Sequence, residues 1–92
     1  MTTTCQGTFT VVNEKGLHMR PSTQLMKCAV QFKSRVSLRC KDNSVNAKSL
    51  LGILTLTATC GTKVIVEAEG DDAEQAVKAI VELAKQRFNI SY

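Results

Sequence analysis

The one histidine of the chain, His18, lies in the run Gly16-Leu17-His18-Met19-Arg20-Pro21-Ser22, where a glycine-containing loop gives way to a segment with helical patterning. Pro21 suits the first turn of a helix, because the N–H that it lacks has no intrahelical acceptor there. A helix start presents unpaired backbone N–H groups and the positive end of the peptide dipole, so it favours an anion such as phosphate. An uncharged imidazole is a nucleophile. Arg20, two residues on, adds a permanent cation whose planar donors match phosphate oxygens. Nucleophile, cation and backbone donors converge, and the chemistry they imply is phosphate handling. The competing reading is a surface or helix-capping histidine with no chemistry of its own.

Cysteines are the other reactive side chains. Cys5, Cys28, Cys40 and Cys60 are separated by 23, 12 and 20 positions, with no C-x-x-C pair and no histidine beside them, so no metal site is expected. The first residues, Met1 to Cys5, lack the charged start and apolar middle of a secretory signal, and no apolar stretch approaches the roughly 18 residues of a membrane span. The expectation is a cytoplasmic chain without membrane insertion. In that reducing setting the thiols stay free, with Cys40 and secondarily Cys28 serving as small core hydrophobes.

The flanking sequence must supply a scaffold for the His18 loop. Upstream, Phe9 and Val11 alternate with Thr8, Thr10 and Val12 as a short strand, and Asn13-Glu14-Lys15-Gly16 reads as a loop. Beyond Pro21, Leu25, Cys28 or Ala29 and Phe32 recur at three- and four-residue spacing, as do Ser22, Met26 and Val30, which predicts an amphipathic helix. Val36, Leu38 and Cys40 alternate with Arg35, Ser37 and Arg39 as a second strand, and Lys41-Asp42-Asn43-Ser44 reads as a turn before a short strand at Val45. Ser49 can cap a brief helix containing Leu50, Leu51 and Leu54, of which Leu54 is the expected core residue.

Past Gly61, Val64, Val66 and Ala68 alternate with Lys63, Ile65, Glu67 and Glu69 in a fourth strand that ends at Gly70. Asp71 or Asp72 then caps a helix whose apolar stripe is Ala73, Ala76, Val77, Ile80, Leu83, Ala84 and Phe88. The order β-α-β-β-α-β-α predicts a single α+β domain over residues 1–92, an open-faced sandwich with its helices on one face of a four-stranded sheet.

Ninety-two residues with 43% hydrophobic positions build one modest core and leave little room for a deep cavity holding a cofactor, so none is expected. The net charge of +4 is unevenly spread: through Lys63 nine basic residues face only Glu14 and Asp42, and the remainder carries three basic against six acidic. That asymmetry suits an acidic partner surface or a phosphate-bearing ligand. Nucleic acid is disfavoured, because sheets that stack bases carry two or three exposed aromatics and Phe9 is the only aromatic in an expected strand.

The run G-L-H-x-R-P-S followed by an amphipathic helix resembles the motif of the HPr family, the histidine phosphocarriers of the bacterial phosphoenolpyruvate-dependent sugar phosphotransferase system. The likeness extends to a second signature, Lys48-Ser49-Leu50-Leu51-Gly52, and to the element order, so it covers nearly the whole chain. The resemblance implies an antiparallel four-stranded sheet covered on one face by three helices. It implies that His18 takes a phosphoryl group on Nδ1 from phosphorylated enzyme I and passes it to IIA-type domains, as a carrier rather than an enzyme. Arg20 would offset the phosphate charge, and the amides of Met19 and Arg20 would donate to it. Met19 departs from the usual Ala of the motif and adds bulk beside the phosphate. Ser49 matches a position that a dedicated kinase/phosphorylase modifies in many bacteria, although it also reads simply as a helix cap. Thr23, Lys27, Lys48, Leu50 and Leu51 would form the docking surface, and a monomer suits such a shuttle. A nitrogen-branch or regulatory paralogue would share the same phosphohistidine chemistry.

Overall fold

The computed structural model describes residues 3–90, so Met1, Thr2, Ser91 and Tyr92 lie outside it. The chain runs through β1 (Thr4–Thr10), α1 (Met19–Ala29), β2 (Arg35–Cys40), β3 (Asn43–Asn46), α2 (Leu50–Thr55), β4 (Lys63–Glu69) and α3 (Ala73–Lys85), closing with a 3-10 turn at Arg87–Asn89. The four strands form one antiparallel sheet in the order β1-β4-β2-β3.

Two-residue alternation splits the sheet into a buried and an open face. Phe9 of β1, Val36, Leu38 and Cys40 of β2, and Val64, Val66 and Ala68 of β4 are buried, whereas Thr8, Thr10, Arg35, Arg39, Lys63 and Glu69 are exposed. The helices close the buried face with Leu25 and Ala29 of α1, Ile53 of α2, and Ala73, Ala76, Val77, Ile80 and Ala84 of α3. Gly7 lets α3 approach β1, since a Cβ there would stand 2.7 Å from Val77 Cγ1.

Several local expectations differ from the observed chain. β1 begins at Thr4 rather than near Thr8, because pairing from Thr4↔Glu69 to Thr10↔Lys63 recruits a polar stretch with little strand signal of its own. Val11 is buried but lies past the strand. Asn43 and Ser44 belong to β3, leaving Lys41 and Asp42 as the tight turn, with Lys41 at φ 56°. α1 ends at Ala29, so Val30 stands 50% exposed and Phe32 packs from the following loop. Phe88 is not part of α3. Arg87, Phe88 and Asn89 all take left-handed backbone, and Phe88 is nevertheless fully buried, its ring edge-on to Phe9 at 5.7 Å.

All four cysteines are free thiols; Cys40 is buried and Cys28 half-buried, where burial pushes its thiol pKa up. Among the described residues no helix is long and apolar enough to cross a membrane, and no group of three or more His, Cys, Asp or Glu side chains gathers as metal ligands.

Candidate functional site

The loop before α1 is held from three directions. Val11 exchanges backbone bonds with the segment after α2, its N–H donating to Thr62 O at 2.8 Å and its carbonyl accepting from Gly61 N at 2.7 Å. Asn13 Nδ2 donates to the carbonyls of Arg87 and Ile90, which fastens the loop to the left-handed closing turn. Leu17, the residue before the histidine, donates its N–H to Ala58 O at 2.8 Å and accepts from the buried Ser22 hydroxyl at 2.9 Å. Gly16, at φ 72°, makes that contact possible: a Cβ there would lie 2.5 Å from Ala58 O.

His18 therefore follows an immobilised residue. It is the N-cap of α1 with extended backbone, its carbonyl accepting from Ser22 N at 3.0 Å, and its half-buried side chain makes no capping bond to the helix. Met19 and Arg20, both exposed, open the helix, and Pro21 follows with no N–H. The first helical amides have no intrahelical acceptor, so those of Met19 and Arg20 are the donors of this turn beside the imidazole. The first turn contains no acidic residue to neutralise the positive end of the dipole, whereas Lys27 sits favourably in the last turn. Thr23 donates its hydroxyl to Met19 O at 2.7 Å, which stiffens this turn from within. Such an arrangement can hold an anion against a nucleophilic ring at the protein surface.

The second motif is placed differently. Ser49 is the N-cap of α2, and its Oγ accepts from Gly52 N at 3.1 Å, as the capping reading expects. The half-buried Lys48 donates its ammonium to Phe32 O at 2.7 Å, just beyond the end of α1. That tie draws the start of α2 toward the end of α1 remote from His18. The segment after α2 leads to Ala58, the acceptor of Leu17 N, and α1 and α2 pack against each other.

Of the expected docking residues, Leu51 is 77% exposed, Lys27 is exposed, and Leu50 and Thr23 are half-buried. Leu54, expected in the core, is only half-buried. Ile53 takes that place with zero exposure, and Leu56 three residues on is also buried, because the inward face of this six-residue helix falls on the 53/56 spacing.

Asp72 is the N-cap of α3 by position, but its carboxylate turns away from its own helix. It accepts from the amides of Lys33 and Ser34, each at 2.9 Å, and from the Ser34 hydroxyl. These bonds, the Ser34 hydroxyl first, hold its pKa down at about 2. The sequence reading placed Asn13 in a loop and Ser22 in the motif and on a helix face, but the bonds by which Asn13, Ser22, Ala58 and Thr62 position the His18 loop have no local signature. Only Gly16 left a local signal.

The family pattern described as "PTS HPr component phosphorylation site" matches residues 5–86. The chain is similar to the phosphocarrier protein HPr of Xylella fastidiosa strain Temecula1, at 40% identity over 81 residues, covering 88% of this chain and 91% of that protein. Among solved structures it is similar to HPr-C-His from Thermoanaerobacter tengcongensis, with a TM-score of 0.90 at 36% identity, covering 96% of this chain and 99% of that one. A structure described as an HPr dimer from the same organism matches at TM-score 0.75 and 39% identity, covering 87% and 92% of the two chains.

Proposed function

The chain belongs to the HPr phosphocarrier family of the phosphotransferase system, and from that premise we propose that His18 carries a phosphoryl group from phosphorylated enzyme I to IIA-type acceptor domains. The observation that carries this reading is the half-buried His18 ring at the start of α1, beside the amides of Met19 and Arg20, in a first turn without acid. The lone pair on Nδ1 attacks phosphorus while the donor's P–N bond breaks toward the donor ring. One proton leaves the Nε2 of His18 and one returns to that ring, so the exchange balances. Arg20 offsets the charge spread over the phosphoryl oxygens, and the two amides receive them.

The docking protein supplies the other nucleophile and excludes water, which is why an 92-residue carrier needs no enclosed cavity. The carrier acts as a cytoplasmic monomer in this reading. Ser49 is a regulatory position for an HPr kinase/phosphorylase: a phosphate there adds roughly two negative charges next to the exposed Leu51 and opposes docking.

The test is to offer sugar-branch and nitrogen-branch enzyme I in parallel with labelled phosphoenolpyruvate. Wild type takes an acid-labile, base-stable label, and the preferred donor identifies the branch. His18→Ala takes none; label entering that variant at the native rate overturns the assignment. Arg20→Ala keeps its fold and slows transfer by on the order of a hundredfold.

A further inference from the structure

Among the described residues four large apolar side chains are prominently exposed: Val12, Met19, Val30 and Leu51. One of them, Met19, adjoins the reacting imidazole. By helical spacing it shares its face with the half-buried Thr23 and Met26 and the exposed Val30, a quarter turn from the buried stripe of Ser22, Leu25 and Ala29, and it is 55% exposed. It is also the first residue of α1, where Cα–Cβ bonds tilt toward the helix N-terminus. Its side chain thus leans past the end of the core, toward the rim of the anion site. Its backbone is fixed, the carbonyl by the Thr23 hydroxyl at 2.7 Å, while the unbranched thioether keeps three rotatable bonds. An apolar, adaptable group in this position does nothing for the core and gains only when another surface covers it.

We propose that the Met19 side chain is a partner-selecting contact: it fits a phosphohistidine-bearing protein whose donor ring lies beside an apolar recess rimmed by acidic groups. This rests on the carrier reading above. The acidic rim follows from charge, since exposed Arg20 and Lys27 flank the site along α1 and its first turn holds no acid. A partner with a polar or filled recess must leave the thioether in water or strip water from its own groups, and so binds less well. Discrimination thereby resides in encounter, apart from the phosphoryl chemistry carried by His18, Arg20 and the two amides.

The experiment measures KM and kcat for phosphorylation by purified enzyme I of the preferred branch, using the whole chain and its Met19→Ala, Met19→Gln and Met19→Leu variants. The expected result is a KM raised about fivefold in the Ala and Gln variants, with kcat within about twofold of wild type, and a KM restored by Leu, which keeps the apolar bulk. Unchanged KM in the Ala and Gln variants overturns the proposal. So does a fall in kcat at constant KM, which would place Met19 on the reacting group, and so does a Leu variant as impaired as Ala. Absence of label on wild type is the separate failure of the carrier reading.

Discussion

The starts of α1 and α2 are built on opposite plans. At α2 the cap is internal: Ser49 Oγ takes the Gly52 amide, and the six-residue helix is closed upon itself. At α1 the cap residue is His18, whose ring makes no capping bond, and the loop leading into it is positioned from outside by Leu17 on Ala58 and Val11 on Thr62. A helix start satisfied by its own side chain is finished as structure. One positioned by tertiary bonds is held in place before any ligand arrives, which is what preorganisation requires.

The sharpest way to break this contrast is at the external support. Gly16→Ala must accommodate a methyl 2.5 Å from Ala58 O at φ 72°, so either the loop lifts off the segment after α2 or the backbone leaves its left-handed region. The expected cost is about 2–3 kcal/mol, a fall in Tm of roughly 10–20 °C for a domain of this size. Phosphotransfer at temperatures where the variant is still folded should also drop, since His18 would lose its fixed predecessor. A melting curve matching wild type would show that the loop does not depend on this contact.

The matching change at α2 is milder. Ser49→Ala removes an internal cap worth about 1 kcal/mol, while Ser49→Asp keeps an acceptor for the Gly52 amide and should melt close to wild type. Transfer separates the two variants in the reverse order. If charge at this position opposes docking, the Asp variant raises KM for enzyme I and the Ala variant does not. Equal KM values would confine Ser49 to its capping role.

The same contrast explains what could be read from sequence. The internal cap was legible because its parts lie within four residues, and the two-residue alternation of β2 and β4 was legible because each strand carries its own pattern. His18 stood out because histidine, arginine and proline occur together at a helix start. What supports His18 was not legible, since Asn13 meets Arg87 and Ile90, and Leu17 meets Ala58, across separations that no local period records. Phe88 was misplaced for a related reason: its spacing from Ala84 continues a helical stripe, but three left-handed residues carry it to the core by another route. At β1 and β3, pairing imposed strand on residues whose own preferences point to loop or turn.

A third helix start places the contrast on a scale and gives the smallest of the expected effects. Asp72 occupies the cap of α3 but uses its carboxylate to fasten the loop after α1 through the amides of Lys33 and Ser34 and the Ser34 hydroxyl. Those bonds favour the ionised form and lower its pKa to about 2, against roughly 3.9 for an unfolded aspartate. Between those values the unfolded chain binds more protons than the folded one. The stabilisation is therefore complete above about pH 4 and is lost as pH falls toward about 2. Urea midpoints at pH 2, 3, 4 and 7 should show Asp72→Asn less stable at neutral pH and flatter than wild type across the acid window. Parallel curves would mean that the carboxylate does not hold the loop in solution. A flatter curve with unaltered phosphotransfer would show a cap position used for long-range fastening, intermediate between the self-contained start of α2 and the externally held start of α1.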